Sequence, residues 1–371
     1  MRLYLGRPWV FPDVPGYAGL SMSWRLPFSD FHVPGYALLI AMTRGLTFGM
    51  LPDLTLMYAI NYLAMISCCF GLLRVCASKA LEFATAALIT GLFTLWPLLG
   101  LNAIVSPLAD VPAMAFFIWG IVNLLECRIW KAAILFGVGM LCHKGLWPFV
   151  ALVLAGDYFA TRRSLSQEIG MLALTGGPVI ILWIWGAIHY ENPLWILSAS
   201  VSIGAESRNA YLPFEGLWNT LSQDGVKGLA KGSVALCLVA FCFSCAVWAW
   251  QLERQARWIA LGITGAAVFW FAFLTKVELF AGVRFSRLLV LIPALYLANP
   301  TAAESPMRKL RAWVAALILL LLTSQFAAAW YIDRRLTEDG ISLKLDLMWP
   351  QRTAVSSGNS CPERNSSKAQ A

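Results

Sequence analysis

Long stretches without a single Asp, Glu, Lys or Arg recur along this chain and constrain its fold more than any motif does. Ten such stretches cover residues 54–73, 83–109, 111–125, 132–142, 145–156, 169–190, 232–252, 258–275, 288–303 and 312–332. A helix that crosses a membrane needs about 20 mostly apolar residues, and fewer when it is buried among other helices. The pattern therefore predicts an all-α, polytopic transmembrane helical bundle with about ten spans.

The composition argues against a soluble domain. Hydrophobic residues make up 59% of the chain and charged residues 13%, whereas a soluble domain carries about 25% charged residues. The net charge of +8 comes from Lys and Arg in short clusters between apolar stretches, so we expect no nucleic-acid partner. Eight of the nine cysteines lie in or beside apolar stretches, which is typical of small buried hydrophobes and not of a disulfide framework.

The basic clusters also predict an orientation, because short loops rich in Lys and Arg stay in the cytoplasm. Clusters of this kind occur at 74–79, 128–131, 162–163, 254–257 and 308–311. The N-terminal stretch and the segments 101–109, 191–230 and 276–287 then face outside. We expect a multi-pass protein of the bacterial inner membrane, since the C-terminus carries no retention signal.

Three regions follow from this pattern. Residues 1–53 are predicted to form an outer, amphipathic juxtamembrane segment with interfacial helices. Residues 54–332 form the transmembrane domain with its outer loop 191–230, and residues 333–371 form a polar, partly disordered tail. Because no apolar stretch precedes the first region, either it is translocated unaided or a first helix precedes this sequence.

Two of the apolar stretches, 132–142 and 145–156, are each too short to span a membrane fully. Together they predict a hairpin whose apex, Cys142 to Gly145, stops within or near the outer side of the bilayer. This apex places the cationic pair His143 and Lys144 at a helix break.

Ionisable groups at membrane depth cost a few kcal/mol on insertion scales and are functional candidates by default. Most of those in this chain are predicted to gather at the outer face: Asp13, Asp30, His32, Asp110, His143, Lys144, Lys276, Glu278, Arg284 and Arg287. Lys and Arg fit a phosphate-bearing lipid. A carboxylate fits the deprotonation of a hydroxyl.

Each candidate also has a structural interpretation. Asp13 fits an exposed turn, and Asp110, at the start of a helix, fits an N-terminal cap. His143 and Lys144 fit a snorkelling pair at a helix end. Arg284 and Arg287 fit interfacial anchors.

Several segments, taken in order, resemble one family. They are Asp13–Tyr17 with Asp30–Leu39, then Ser106–Pro112, then Gly139–Leu146, and last Arg284–Leu289 followed by Pro293–Tyr296. They are similar to the multi-spanning GT-C class of glycosyltransferases, near the mannosyltransferase and aminoarabinose-transferase branch, which use polyprenyl-phosphate sugars. This chain has His143 where the family has Thr, and Val14 follows Asp13 where the family often has Glu.

The resemblance implies sugar transfer from a polyprenyl-phosphate donor to an acceptor hydroxyl of unknown identity at the outer face of the membrane. Asp13 would be the catalytic base. Lys144, His143 and one of Arg284 or Arg287 would bind the donor phosphate. The positioning of sugar or acceptor, or of a divalent metal ion if one is used, would fall to Asp30, His32 and Asp110. No other cofactor is implied.

Two other classes stay open. A lipid-linked oligosaccharide polymerase or ligase also uses a large outer loop with basic residues, and segment 191–230 fits that part. A transporter for a lipid or a small anion is the second alternative. Transporters tend to show two similar halves, and the charge pattern around 143–144 has no counterpart elsewhere in the chain.

Overall fold

The computed structural model describes residues 33–77, 83–95, 108–161, 163–189, 225–273 and 285–297, with five isolated positions at 191, 214, 215, 218 and 222. All regular structure in these ranges is helical, as the sequence predicts. The helices are α1 Gly35–Leu46, α2 Asp53–Ala77, α3 Phe83–Leu95, α4 Asp110–Leu125, α5 Ile129–Cys142, α6 Trp147–Thr161, α7 Leu165–His189, α8 Gly225–Ala249, α9 Arg254–Phe273 and α10 Leu291–Leu297. Two 3₁₀ turns, Lys144–Leu146 and Arg287–Val290, precede α6 and α10.

Two of the described helices are long and apolar enough to cross a membrane, α2 over Asp53–Cys76 and α7 over its full length. The helical stretches Asp110–Leu125, Ile129–Cys142, Leu238–Ala249 and Arg287–Leu297 are apolar but shorter. The predicted span 312–332 lies outside the described residues. A bundle of about ten spans therefore stays a prediction.

Helices α4 and α5 are antiparallel neighbours because only residues 126–128 join them. Their contact is tight: a Cβ on Gly120 of α4 would lie 2.5 Å from the Phe136 ring of α5. Asp110, the first residue of α4, therefore lies at the same end of the pair as Cys142, the last residue of α5.

The chain breaks after Cys142, as predicted, but α5 and α6 do not form a hairpin. Helix α5 packs mainly against α4 and α7, whereas α6 packs mainly along α9. Glycines explain the choice of α9: a Cβ on Gly156 would lie 2.5 Å from the Trp258 carbonyl oxygen, and one on Gly262 would lie 2.6 Å from that of Leu152. The backbones of α6 and α9 approach more closely than any side chain there would allow.

Several of the predicted cytoplasmic loops meet at the other end of the bundle. Glu126, after α4, accepts from Arg74 Nε of α2 at 2.9 Å and lies 3.1 Å from Arg128 Nη1. Arg254, at the start of α9, donates to the Phe159 carbonyl near the end of α6 at 3.2 Å. The described parts of these loops therefore lie on one side of the molecule.

Helix α7 presents a broad apolar surface. Large side chains exposed along it include Leu165, Ile169, Leu172, Ile181, Ile184 and Ile188. Soluble monomers rarely expose a contiguous apolar patch of more than a few hundred Å². This surface is suited to lipid.

Helix α1 packs on the first half of α2. Its buried face carries Tyr36 and Ile40, and Arg44 Nε donates to Asp53 Oδ1 at 2.8 Å across the connecting turn. The opposite face is also apolar, with Leu38, Met42 and Leu46 exposed.

Candidate functional site

The break between α5 and α6 brings together two of the predicted site residues. His143 Nε2 lies 3.0 Å from Asp110 Oδ1, and the two side chains are 18% and 1% exposed. Residue 109 is the N-cap of α4 and makes no side-chain capping bond. Asp110 is the first residue of α4, where a carboxylate is favoured by the helix dipole, and its carboxylate also lies next to His143.

The hydrogen-bond pattern fixes the protonation of the His143 ring. Its Nδ1 accepts the Gly145 backbone N–H at 2.9 Å, and a nitrogen that accepts cannot carry a proton. A neutral ring then carries its proton on Nε2, which faces Asp110. The ring is thus bonded to the protein at Nδ1 and lies at ion-pair distance from Asp110 at Nε2. The role of His143 in binding the donor phosphate stays a prediction.

The 3₁₀ turn Lys144–Leu146 is held from both sides at Gly145. Its N–H donates to His143, and its carbonyl accepts the indole N–H of Trp270, on α9, at 2.9 Å. A Cβ on this glycine would lie 2.8 Å from both the His143 ring and the Phe285 ring. The turn therefore requires glycine at 145. Lys144, which is half-buried, lies between His143 and Gly145 in the chain.

The segment before α10 forms the next wall of the site. The Phe285 ring lies 4.9 Å from the His143 ring and 6.2 Å from Phe149 of α6. Two residues later, Arg287 is fully buried, with its guanidinium carbon 5.4 Å from the centre of the Phe93 ring of α3. Because this side chain is buried inside the bundle, the interpretation of Arg287 as an interfacial anchor is wrong.

The start of α1 closes another side. A Cβ on Gly35 would lie 2.6 Å from the Leu141 carbonyl, so α1 begins directly against the end of α5. Asn61 of α2 donates to the Tyr36 hydroxyl at 2.6 Å and to the Met57 carbonyl at 3.1 Å. The described end of the Asp30–Leu39 motif thus lies beside the Asp110–His143 pair.

These contacts describe a polar region with a positive balance. By formal charge, Asp110 counts as one negative group, Lys144 and Arg287 count as one positive group each, and His143 counts as neutral in the tautomer assigned above. Fixed cations in a site that excludes water stabilise an anion more strongly than the same cations would in water. The arrangement is chemically suited to an anionic group next to an oriented carboxylate.

The other predicted site residues, Asp13, Asp30, His32 and Arg284, lie outside the described residues, as do Lys276 and Glu278. Within the described ranges, no group of three or more His, Cys, Asp and Glu side chains is arranged to hold a metal ion. The seven cysteines whose side chains the structure describes are free thiols.

A second buried charge cluster lies at the opposite end of α6. Asp157 is fully buried and pairs with Arg163, whose Nη1 also lies 3.8 Å from Glu168 Oε1. Gln255 Nε2, on α9, donates to Asp157 Oδ1 at 2.9 Å and to the Leu124 carbonyl at 3.3 Å. This cluster joins the ends of α4, α6, α7 and α9.

Sequence reasoning missed this cluster, because it ended the apolar stretch at residue 156 and placed Arg163 in a solvated loop. It also missed Trp270, Tyr36 and Asn61. A carboxylate next to an apolar stretch, such as Asp157, could have predicted a buried charge cluster. A Trp within an apolar helix does not indicate a polar contact.

Searches against protein-family models, curated proteins and solved structures gave no significant match to this chain.

Proposed function

We propose that this protein is a membrane glycosyltransferase that moves a sugar from a polyprenyl-phosphate donor to an acceptor hydroxyl at the extracytoplasmic face. The observation that carries the proposal is the contact of Asp110 with His143, which Lys144 follows in the chain, together with the packing of His143 on Phe285, two residues before Arg287. The basic loops gather at the opposite end. By the positive-inside rule, the polar site then faces away from the cytoplasm.

The proposed location is an integral, multi-pass protein of the bacterial inner membrane. Its support is the two helices of spanning length, the further apolar helices and the exposed apolar surface of α7. A lipid-linked donor can reach a site in such a bundle from within the membrane, and the sugar it carries remains attached to the lipid until transfer.

In the proposed reaction, the acceptor oxygen forms a bond to the anomeric carbon as the bond from that carbon to the phosphate oxygen breaks. The electron pair leaves with the polyprenyl phosphate, whose negative charge grows. The hydroxyl proton passes to a carboxylate, for which Asp13 is the predicted base. Cations at the leaving phosphate stabilise the transition state without supplying a proton.

The proposal divides these roles according to burial. Lys144, half-buried in its glycine-supported turn, contacts the donor phosphate directly. Arg287 is fully buried against Phe93, so it attracts the phosphate electrostatically without touching it. Arg284 makes the second direct contact with the phosphate. Asp110 is as buried as Arg287 and lies against His143, so direct positioning of the sugar or the acceptor falls to Asp30 and His32.

The test is transfer of radiolabelled sugar by purified protein in detergent, from polyprenyl-phosphate mannose, glucose and aminoarabinose. We expect Lys144→Ala to lower kcat about a hundredfold, which is typical of the loss of one group that stabilises transition-state charge. Asp13→Asn should abolish transfer. The matched control is Lys131→Ala, which removes an exposed lysine at the other end of α5.

Transfer by Lys144→Ala at the rate of Lys131→Ala would remove Lys144 from the donor site. Transfer that survives in Asp13→Asn would move the search for the base to Asp30 and Asp110. If the folded protein transfers sugar from none of the donors, the result favours the transporter alternative.

A further inference from the structure

The turn that carries Lys144 is bonded to the rest of the protein on both sides of one peptide group. The Gly145 N–H donates to His143, which contacts Asp110 of α4, and the Gly145 carbonyl accepts from Trp270 of α9. The bond from Trp270 links this turn to α9. The two side chains that bond to Gly145 belong to different parts of the bundle: His143 follows α5, and Trp270 is in α9.

Trp270 is held on a rigid support. Helix α9 packs along α6 with the backbone contacts at Gly156 and Gly262 described above, and such close approach leaves little room for sliding. Its indole is partly buried, and the N–H is directed inward at 2.9 Å from the carbonyl. An interfacial tryptophan usually serves as a membrane anchor, whereas this one binds the backbone of the candidate site.

We propose that Trp270 is a positioning residue for the donor phosphate, since its bond to the Gly145 carbonyl holds the Lys144 turn in a binding-ready conformation. This inference rests on the proposed function for the identity of the donor. Trp270 itself touches no reacting atom. Its loss therefore weakens donor binding and leaves the chemical step of the bound donor nearly unchanged.

The expected size follows from the loss of one hydrogen bond. A bond of this kind contributes about 0.5–1.5 kcal/mol net, and each 1.4 kcal/mol is tenfold in affinity. Trp270→Phe, which keeps an aromatic ring but removes the N–H, should therefore raise the donor KM roughly three- to tenfold. Its kcat should stay within about twofold of wild type, because a donor that has bound selects the binding-ready turn, in which Lys144 still contacts the phosphate.

The first arm of the test needs no transfer. Lys144 is acetylated with acetic anhydride in the full chain and quantified by mass spectrometry, with farnesyl phosphate as the protecting probe. Half-protection of Trp270→Phe should require three to ten times more probe than wild type. The control Trp258→Phe, a partly exposed tryptophan on the same helix, should match wild type.

The second arm measures the KM and kcat of the same variants with the best donor of the transfer panel. Replacement of Trp270 by 3-benzothienylalanine, which has the shape of tryptophan without its N–H, covers the case in which Trp270→Phe fails to fold. It should reproduce the KM increase. A purely structural role would lower the yield of folded protein or kcat without this selective effect on KM.

The outcomes separate the two proposals. Protection of Lys144 that weakens in the Trp270 variants, with no transfer from any donor, would support the positioning role and reject glycosyl transfer. Transfer by wild type with equal protection and equal KM in the Trp270 and Trp258 variants would overturn the positioning role alone. Absence of protection in wild type would overturn it as well.

Discussion

The cost of removing a buried charge depends on the partner it leaves behind. Asp110 is 1% exposed and lies 3.0 Å from His143 Nε2, while the other ring nitrogen is committed to Gly145. An asparagine at 110 keeps an oxygen beside Nε2, whereas an alanine removes it.

We expect Asp110→Ala to lower the free energy of unfolding by about 1–3 kcal/mol more than Asp110→Asn does, which is the cost of a buried polar group that loses a polar neighbour. Thermal unfolding in detergent, followed by circular dichroism, measures the difference. Equal stability of the two variants would show that the contact between Asp110 and His143 contributes little to folding.

The charge cluster around Asp157 predicts a larger loss of stability when its cation is removed. Arg163→Met leaves Asp157 and Glu168 as two buried carboxylates without their shared cation. Breaking a buried ion pair on one side costs about 3–5 kcal/mol. The control, Arg128→Met, removes an exposed partner of Glu126 and should cost less than about 1 kcal/mol.

The same unfolding measurement distinguishes these two variants, and Asp157→Asn in the Arg163→Met background should restore part of the loss. If Arg163→Met proves as mild as Arg128→Met, Asp157 and Glu168 are not destabilised by loss of the guanidinium, and the cluster does not join the helix ends energetically.

Among helices, the close packing of α6 on α9 depends on two small residues. Gly156→Ala would place a methyl group 2.5 Å from the Trp258 carbonyl oxygen, a backbone atom that cannot turn aside. Overpacking of this kind costs about 1–3 kcal/mol. Gly91→Ala, in α3, meets nothing within 4 Å and should be neutral or stabilise by up to about 1 kcal/mol.

Thermal unfolding of the two alanine variants provides the comparison. A Gly156→Ala protein as stable as Gly91→Ala would mean that α6 and α9 separate readily, and the support proposed for Trp270 would be lost with that packing.

Helix positions were largely predictable, and helix partners were not. Apolar stretches predicted α2, α7, α8 and α9 closely, and Asp110 was placed at the start of a helix. The short connection of α4 to α5 also made the proximity of Asp110 and His143 predictable. The hairpin of α5 and α6 was wrong because apolar length predicts where a helix stops but not which glycine surface it packs on.

For the whole molecule, the orientation in the membrane is testable at Cys127. This residue is exposed in the connection between α4 and α5, at the end where the basic loops gather. A membrane-impermeant maleimide should therefore label it in inside-out vesicles and not in spheroplasts. The Cys127→Ser protein provides the background from the other cysteines.

Labelling of Cys127 from outside would reverse the orientation and place the Asp110–His143 end in the cytoplasm. A soluble sugar nucleotide could then serve as donor, and the case for a lipid-linked donor would be lost.

The two buried clusters also have a consequence for biosynthesis. Asp110 begins α4 and its partner follows α5, while Asp157 in α6 pairs with Arg163 before α7. A lone ionised side chain costs a few kcal/mol to insert from the translocon into lipid. In the proposed membrane protein, α4 would therefore be retained at the translocon until α5 emerges, and α6 until α7 does, so that each buried carboxylate enters the bilayer together with its polar partner.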